Sequence, residues 1–241
     1  MSTDVFRLSR RALLLGISLM CLFGLAIGLC QVRGKRTVSE TTIELPEART
    51  DGDMSVEAAI AARRSRRDFS ARPLTLKQVA QLAWCAQGIT GARGRKRAAP
   101  SAGATYPLTV CFAVGVESVQ ALPPGVYRYM PKSHQFRQLV EDDVREAVAR
   151  AALNQGFLAE APVNVLIAAD YARTARRYGD RARRYVHMEA GHVAENIYLQ
   201  AETMGLCTVS VGAFDDAAMA QVFDLRENLS PLYLMPVGYG R

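Results

Sequence analysis

The sequence predicts an α+β fold, a sandwich of helices around a small β-sheet. Three observations carry that expectation. Compact β-rich runs are separated by turn residues, one long helical pattern stands out, and 241 residues at 49% hydrophobic content are enough to bury one full core. There is no internal repeat and no low-complexity stretch.

In chain order, residues 1–36 read as a targeting segment outside the fold. Arg10-Arg11 precede an uncharged stretch from Ala12 to Cys30, and a second basic cluster of Arg33, Lys35 and Arg36 follows. The paired arginines resemble a twin-arginine export signal. The run is also just long enough for the roughly 20 residues that span a bilayer, so a cleaved signal and a retained membrane anchor both fit. Positive charge on both sides leaves the orientation open. Ile27-Gly28-Leu29-Cys30 is a weak lipoprotein box, because Leu29 stands where a small residue is expected. The expected location is therefore the periplasm, free or membrane-anchored, with the cytoplasm as the alternative.

Residues 37–53, with Pro46, Thr50, Asp51 and Gly52 among polar neighbours, read as a linker, and residues 54–241 as the folded domain. Ser55 opens a short helix that delivers an arginine cluster. Thr75-Leu76-Lys77-Gln78 forms a capping box, with Val79, Leu82, Ala83 and Ala86 as the buried stripe and Gly88 as the stop. Thr109–Val114 is a strand, and Gly125–Tyr129 with Gln135–Leu139 make two more around a turn at Pro131. Asp142 is expected to cap a helix that runs to about Leu153, and Val163–Ala168 reads as a buried strand. The strongest helix spans about Arg181 to Met204, where Val186, Ala190, Val193, Ile197 and Ala201 recur at three- and four-residue steps before Gly205 ends it. Cys207–Val211 and Leu232–Val237 are the last strands, with a helix capped near Asp215 between them. The Arg-rich segment from Arg173 to Arg184 reads as a solvated helix face.

Charge and cysteines narrow the function. The formal net charge is +7, but residues 1–36 hold six basic residues and one acid, leaving 24 basic and 22 acidic residues, a net of +2, in the remainder. That small excess argues against a nucleic-acid partner. Cys85, Cys111 and Cys207 lie far apart in apolar contexts and read as small buried hydrophobes, not as a disulfide framework. His187 and His192 are five residues apart, which is wrong for a helical zinc pair, and no metal is expected. Ser101 lacks a nucleophile elbow and triad partners, which excludes a serine hydrolase.

Three separated segments carry the chemistry. Arg63-Arg64-Ser65-Arg66-Arg67 offers planar guanidinium groups to a phosphate. Pro100-Ser101-Ala102-Gly103-Ala104-Thr105-Tyr106-Pro107 is a proline-bounded turn of small residues that lets backbone approach a planar ring. Pro236-Val237-Gly238-Tyr239-Gly240-Arg241 closes the chain with a second Gly/Arg pair. A fourth stretch, Val211-Gly212-Ala213-Phe214-Asp215, lies between a strand and a helix start, so that free amides point outward from it.

Together these segments resemble the nitroreductase superfamily, over roughly Val56 to Arg241. Pro100–Pro107 in particular is similar to its azoline-oxidase branch, the streptolysin-type oxidases and their free-standing relatives. The resemblance implies a nitroreductase-like α/β sandwich with a small, mostly antiparallel central sheet flanked by helices, forming an obligate homodimer with two FMN molecules at the subunit interface. It implies an oxidoreductase that moves hydride or electron pairs between flavin and a small nitro, quinone or azoline substrate. By the same resemblance, Arg63, Arg64, Ser65 and Arg67 contact the phosphate and ring edge. Pro100, Ser101, Ala102 and Gly103 reach the flavin from the partner subunit, Gly212 and Ala213 offer a backbone donor near its reactive nitrogen, and Gly238 and Arg241 complete the phosphate end.

No catalytic acid or base is assigned. The adjacent Lys-Tyr pair of some peptide-heterocycle oxidases is absent, with Arg177-Tyr178 and Arg184-Tyr185 nearest to it, and arginine is a poor general base. Export would separate the enzyme from nicotinamide cofactors and leave a quinol or redox protein as electron donor. The competing reading is a membrane-tethered, non-catalytic flavin- or ligand-binding protein on the same scaffold.

Overall fold

The computed structural model describes residues 41–91, 94 and 96–241, and the signal or anchor expected at 1–36 lies outside them. In chain order the elements are β1 (Thr42–Glu44), α1 (Val56–Ala62), α2 (Leu76–Gln87), a 3-10 turn (Ala102–Ala104), β2 (Leu108–Val114), β3 (Gly125–Met130), β4 (Gln135–Val140), α3 (Arg145–Ala151), α4 (Phe157–Glu160), β5 (Val163–Ala169), α5 (Tyr171–Tyr178), a second 3-10 turn (Gly179–Arg181), α6 (Ala182–Thr203), β6 (Cys207–Thr208), α7 (Asp216–Val222) and β7 (Ser230–Gly238). Among the described residues no helix is long and apolar enough to cross a membrane.

The seven strands form one sheet in the order β1-β4-β3-β2-β5-β7-β6, with every neighbouring pair antiparallel. β5 is buried along its whole length, which is why its sequence reads as a continuous apolar run and does not alternate. Side chains still divide by face. Val110, Phe112, Val165 and Ile167 pack with α2 and α6, whereas Cys111, Ala113 and Leu166 pack with α3, α4 and α7.

Local signals place the helices that shape the site. Thr75 and Gln78 make both bonds of the capping box, and Gly88 ends α2. In α6 the predicted stripe of Val186, Ala190, Val193, Ile197 and Ala201 is buried, and Gly205 follows at φ +65°. Only glycine adopts that backbone without strain.

Three expectations are revised. Part of the segment read as linker is sheet: Thr42–Glu44 pairs with Gln135–Arg137, and Leu45 is buried. Asp142 does not cap α3. The helix follows Val144 and has no side-chain cap, while Asp143 accepts from the amides of Val116 and Arg145 and pairs with the Arg145 side chain. The second strand of the expected 207–211 run ends at Thr208, with Val211 joined to Leu234 only by an isolated bridge.

Candidate functional site

The arginine segment leaves α1 as an irregular loop that main-chain bonds stitch to the far end of the sheet. Ser65 bridges Thr208, the Arg66 amide donates to the Thr208 carbonyl at 3.0 Å, Phe69 bridges Gly240, and the Ser70 amide donates to the Tyr239 carbonyl at 2.8 Å. The first and last motifs, some 170 residues apart in sequence, are thereby neighbours in space.

A tyrosine of α6 joins this loop to the turn after β6. Ser65 Oγ lies 3.0 Å from the Tyr198 hydroxyl, which also accepts from the Ser210 amide at 2.7 Å. Two residues on, the amides of Gly212 and Ala213 donate to no acceptor among the described residues, and both residues are exposed. The Asp215 side chain caps α7 just beyond them.

The cations of the loop fall into two sets. Arg66 pairs with Glu202 and is committed to α6. Arg63 stacks over the Tyr198 ring at 5.1 Å without a carboxylate, the Arg64 side chain bonds the carbonyls of Ala61 and Arg63 while its amide donates to Glu202, and Arg67 has no side-chain partner among the described residues. Thr208 Oγ1, beside Ser65, is a buried hydroxyl with no hydrogen-bond partner among the described residues. Unpaired guanidinium groups next to an unsatisfied buried hydroxyl are the donors that a phosphate would occupy. These residues fit an FMN phosphate.

Arg241 and Gly238 behave differently from the expectation. Arg241 is held by Glu160 at 2.7 Å and Asp68 at 3.4 Å, so reaching a phosphate requires it to leave two carboxylates. Gly238 is buried inside β7, where a Cβ would sit 2.6 Å from Pro162 Cδ. Its small size is required by packing against Pro162 and Phe69.

The 100–107 loop is anchored elsewhere. Ser101 Oγ donates to Glu189 Oε2 at 2.6 Å and accepts from the Tyr106 amide. Thr105 bonds Thr174, Arg177 donates to the Gly103 carbonyl, and Arg173 donates to the Tyr106 carbonyl. Gly103 sits at φ +56°, with Tyr178 Oη 2.5 Å from where a Cβ would be. Glu189 is 2% exposed, and burial pushes its carboxyl up to about 7, with Ser101, Arg97 and Gln87 lowering it less. Among the described residues its Oε1 and Gln87 Nε2 make no hydrogen bond of normal geometry, although Gln87 is near enough to lower the carboxyl.

Along α6, Glu189 and Tyr198 are nine residues apart, about 13 Å at 1.5 Å per residue. Within one protomer the small-residue loop and the arginine loop thus occupy different stations on the same helix. Sequence reading missed Tyr198, Thr208, Ser210 and Glu189, the side chains that hold these loops. A buried glutamate inside an apolar stripe was the one available signal. His187, read as no ligand, bonds Tyr171 at 2.6 Å.

The chain matches the Nitroreductase family over residues 60–239 and belongs to it. It is similar to a nitroreductase-type protein of Methanocaldococcus jannaschii, 45% identical over 196 residues that cover 81% of this chain and 95% of that one. A solved nitroreductase-type structure from Ralstonia eutropha JMP134 superposes with a TM-score of 0.73 at 29% identity, covering 85% of this chain and 91% of the other. The E. coli microcin synthetase complex shares the fold, with a TM-score of 0.65 at 17% identity over 97% and 95% of the two chains. The family generally comprises FMN-dependent oxidoreductases, commonly homodimeric.

Proposed function

We propose that this chain is an FMN-dependent oxidoreductase that acts as a homodimer on a small organic substrate of the nitro or quinone type. The observation that carries the reading is the convergence at Tyr198 of the arginine loop and the 208–213 turn, which leaves Arg63, Arg67, the Thr208 hydroxyl and two amides without hydrogen-bond or ion-pair partners among the described residues. FMN, when bound, supplies the hydride and electron-pair chemistry that no side chain here provides.

The chain's own residues bind and orient. Arg63 and Arg67 hold phosphate, Tyr198 keeps Ser65 in place beside them, and the free amides of Gly212 and Ala213 present donors to an acceptor edge, where fixed dipoles stabilise developing negative charge. Pro100–Gly103 comes from the second subunit, in keeping with its separate station on α6. Val56 and Ile60 of α1, 64% and 57% exposed, supply apolar surface for that contact.

Azoline oxidation is the weaker substrate reading. The Arg177 guanidinium has donors only and spends one on the Gly103 carbonyl, so it offers no acceptor for a proton. The likeness to the microcin synthetase carries the fold alone. Residues 1–36 are proposed to direct the chain to the periplasm, motivated by Arg10-Arg11, with a quinol or redox protein as donor. A reporter fused after residue 36 that stays cytoplasmic would remove that basis.

The test is an absorbance spectrum of the purified full-length protein and identification of the released cofactor, followed by turnover of nitro, quinone and azoline substrates. Bound FMN that cycles with a nitro or quinone substrate is the expected result. A colourless protein that cannot be reconstituted overturns the reading, and a bound flavin that no donor reduces replaces it with the non-catalytic binding protein.

A further inference from the structure

On the sheet face opposite α6, three arginines converge where the flavin reading places nothing. Arg128 of β3 stands directly across from Arg137 of β4, and Arg128 is also in register with Cys111 of β2. Arg226, in the loop after α7, closes a cavity of about 170 Å³ over them. Like charges directly opposite each other on an antiparallel pair repel, so this arrangement calls for a counter-ion.

Among the described residues no carboxylate pairs with them. Among the described residues, neither Arg128, Arg137 nor Arg226 makes a side-chain hydrogen bond or an ion pair, and the Nε atoms of Arg128 and Arg137 are buried without an acceptor. Asp224 lines the same cavity and pairs with none of the three. Cys111 cannot serve either. Burial pushes its thiol up to about 12, the charge of Arg128 lowering it less, so it stays neutral. Burial, then Arg226 and Arg137, lowers the Arg128 guanidinium from its ordinary value. A buried donor without a partner is unfavourable, and here two stand side by side.

We infer that Arg128, Arg137 and Arg226 form an anion site for a phosphate-class group, separate from the flavin site. Guanidinium groups fork onto tetrahedral oxyanions, and their Nε–H and Nη–H donors are free here. The cavity holds several times the ~30 Å³ of one water but falls short of the ~300 Å³ of a drug-sized pocket. It therefore takes a small oxyanion or the phosphate end of a larger molecule whose remainder stays outside.

The experiment is calorimetric titration of the FMN-saturated protein with inorganic phosphate at constant ionic strength, with chloride as control and glycerol phosphate as a second ligand. Saturating FMN silences the flavin's own phosphate contacts. Phosphate binding beyond the chloride control, weakened at least tenfold by Arg226→Gln and abolished by Arg128→Gln/Arg137→Gln, is expected. Binding of phosphate alone assigns the free ion, and binding of both ligands assigns a phosphate ester. If the double variant does not fold, Arg226→Gln decides alone, since Arg226 is exposed and its side chain makes no hydrogen bond or ion pair among the described residues. Heat no greater than with chloride, or binding unchanged in Arg226→Gln, overturns the inference.

Discussion

The two loops that frame the candidate flavin site are held in opposite ways. The 63–70 loop is fastened mainly by its main chain, through Ser65, Arg66, Phe69 and Ser70 to β6 and the residues after β7, with the Ser65 and Arg66 side chains tied to α6. The 100–107 loop is fastened by side chains, through Ser101, Thr105, Arg173 and Arg177 to α5 and α6. A loop held by backbone keeps its shape when its side chains change, so those side chains are free for a ligand. In the second loop the carbonyls of Gly103 and Tyr106 are already taken by arginine side chains, so a single substitution among these partners can release it.

The largest test of that contrast is Glu189→Ala. It deletes the acceptor of the Ser101 hydroxyl and leaves a void at a 2% exposed position, so a loss of about 3 kcal/mol is expected in denaturant unfolding. A loss below about 1 kcal/mol would mean that the loop does not depend on this side chain.

On the other loop, Arg63→Ala/Arg67→Ala should raise the FMN dissociation constant by roughly 30- to 100-fold, on the order of 2–3 kcal/mol, while unfolding stability stays within about 0.5 kcal/mol. Fluorescence titration with FMN reads the first figure and denaturant unfolding the second. Equal losses in both would erase the distinction between the loops.

The pH dependence sharpens it further. Because the folded-state value of Glu189, about 7, lies above its ordinary 4.5, the native state holds the proton more tightly. This contribution is complete below pH 4.5, declines as pH rises to about 7, and is flat above. The wild-type protein should lose on the order of 2 kcal/mol across that window relative to Glu189→Gln, which keeps the neutral shape without the titration. Parallel stability curves for the two proteins would show that Glu189 does not carry this linkage.

The smallest effect belongs to Arg241→Ala. Its two ion pairs are more than half exposed on the arginine side, so no more than about 1 kcal/mol of stability is at stake. If FMN affinity falls as well, Arg241 turns from its carboxylates toward the phosphate. If affinity is unchanged, its role is confined to tying the chain end to Asp68 and Glu160.

Much of the fold was legible because its signals are local. The Thr75–Gln78 capping box, the Gly88 and Gly205 stops, the hairpin around Pro131 and the stripe of α6 all act within a few residues, and each appears where its chemistry puts it. β1 was not legible. Thr42–Glu44 has three residues and a polar surround, and it becomes a strand only because β4 offers an unpaired edge. The expected Asp142 cap of α3 is missing for a similar reason: the helix starts without a side-chain cap, and Asp143 beside it is engaged by the distant amide of Val116 and by Arg145.

For the site, residue types alone determined which segments could bind phosphate and which could approach a ring. Guanidinium groups, small residues and glycines carry those capacities wherever they fall. Tertiary structure decided which of these capacities meet. Sheet order brings the arginine loop beside the chain's end, the register of α6 sets Tyr198 under one loop and Glu189 under the other, and the pairing of β3 with β4 places Arg128 against Arg137. Contacts between residues a hundred positions apart leave no periodic trace, because their energy depends on the assembled core and not on neighbours in the chain.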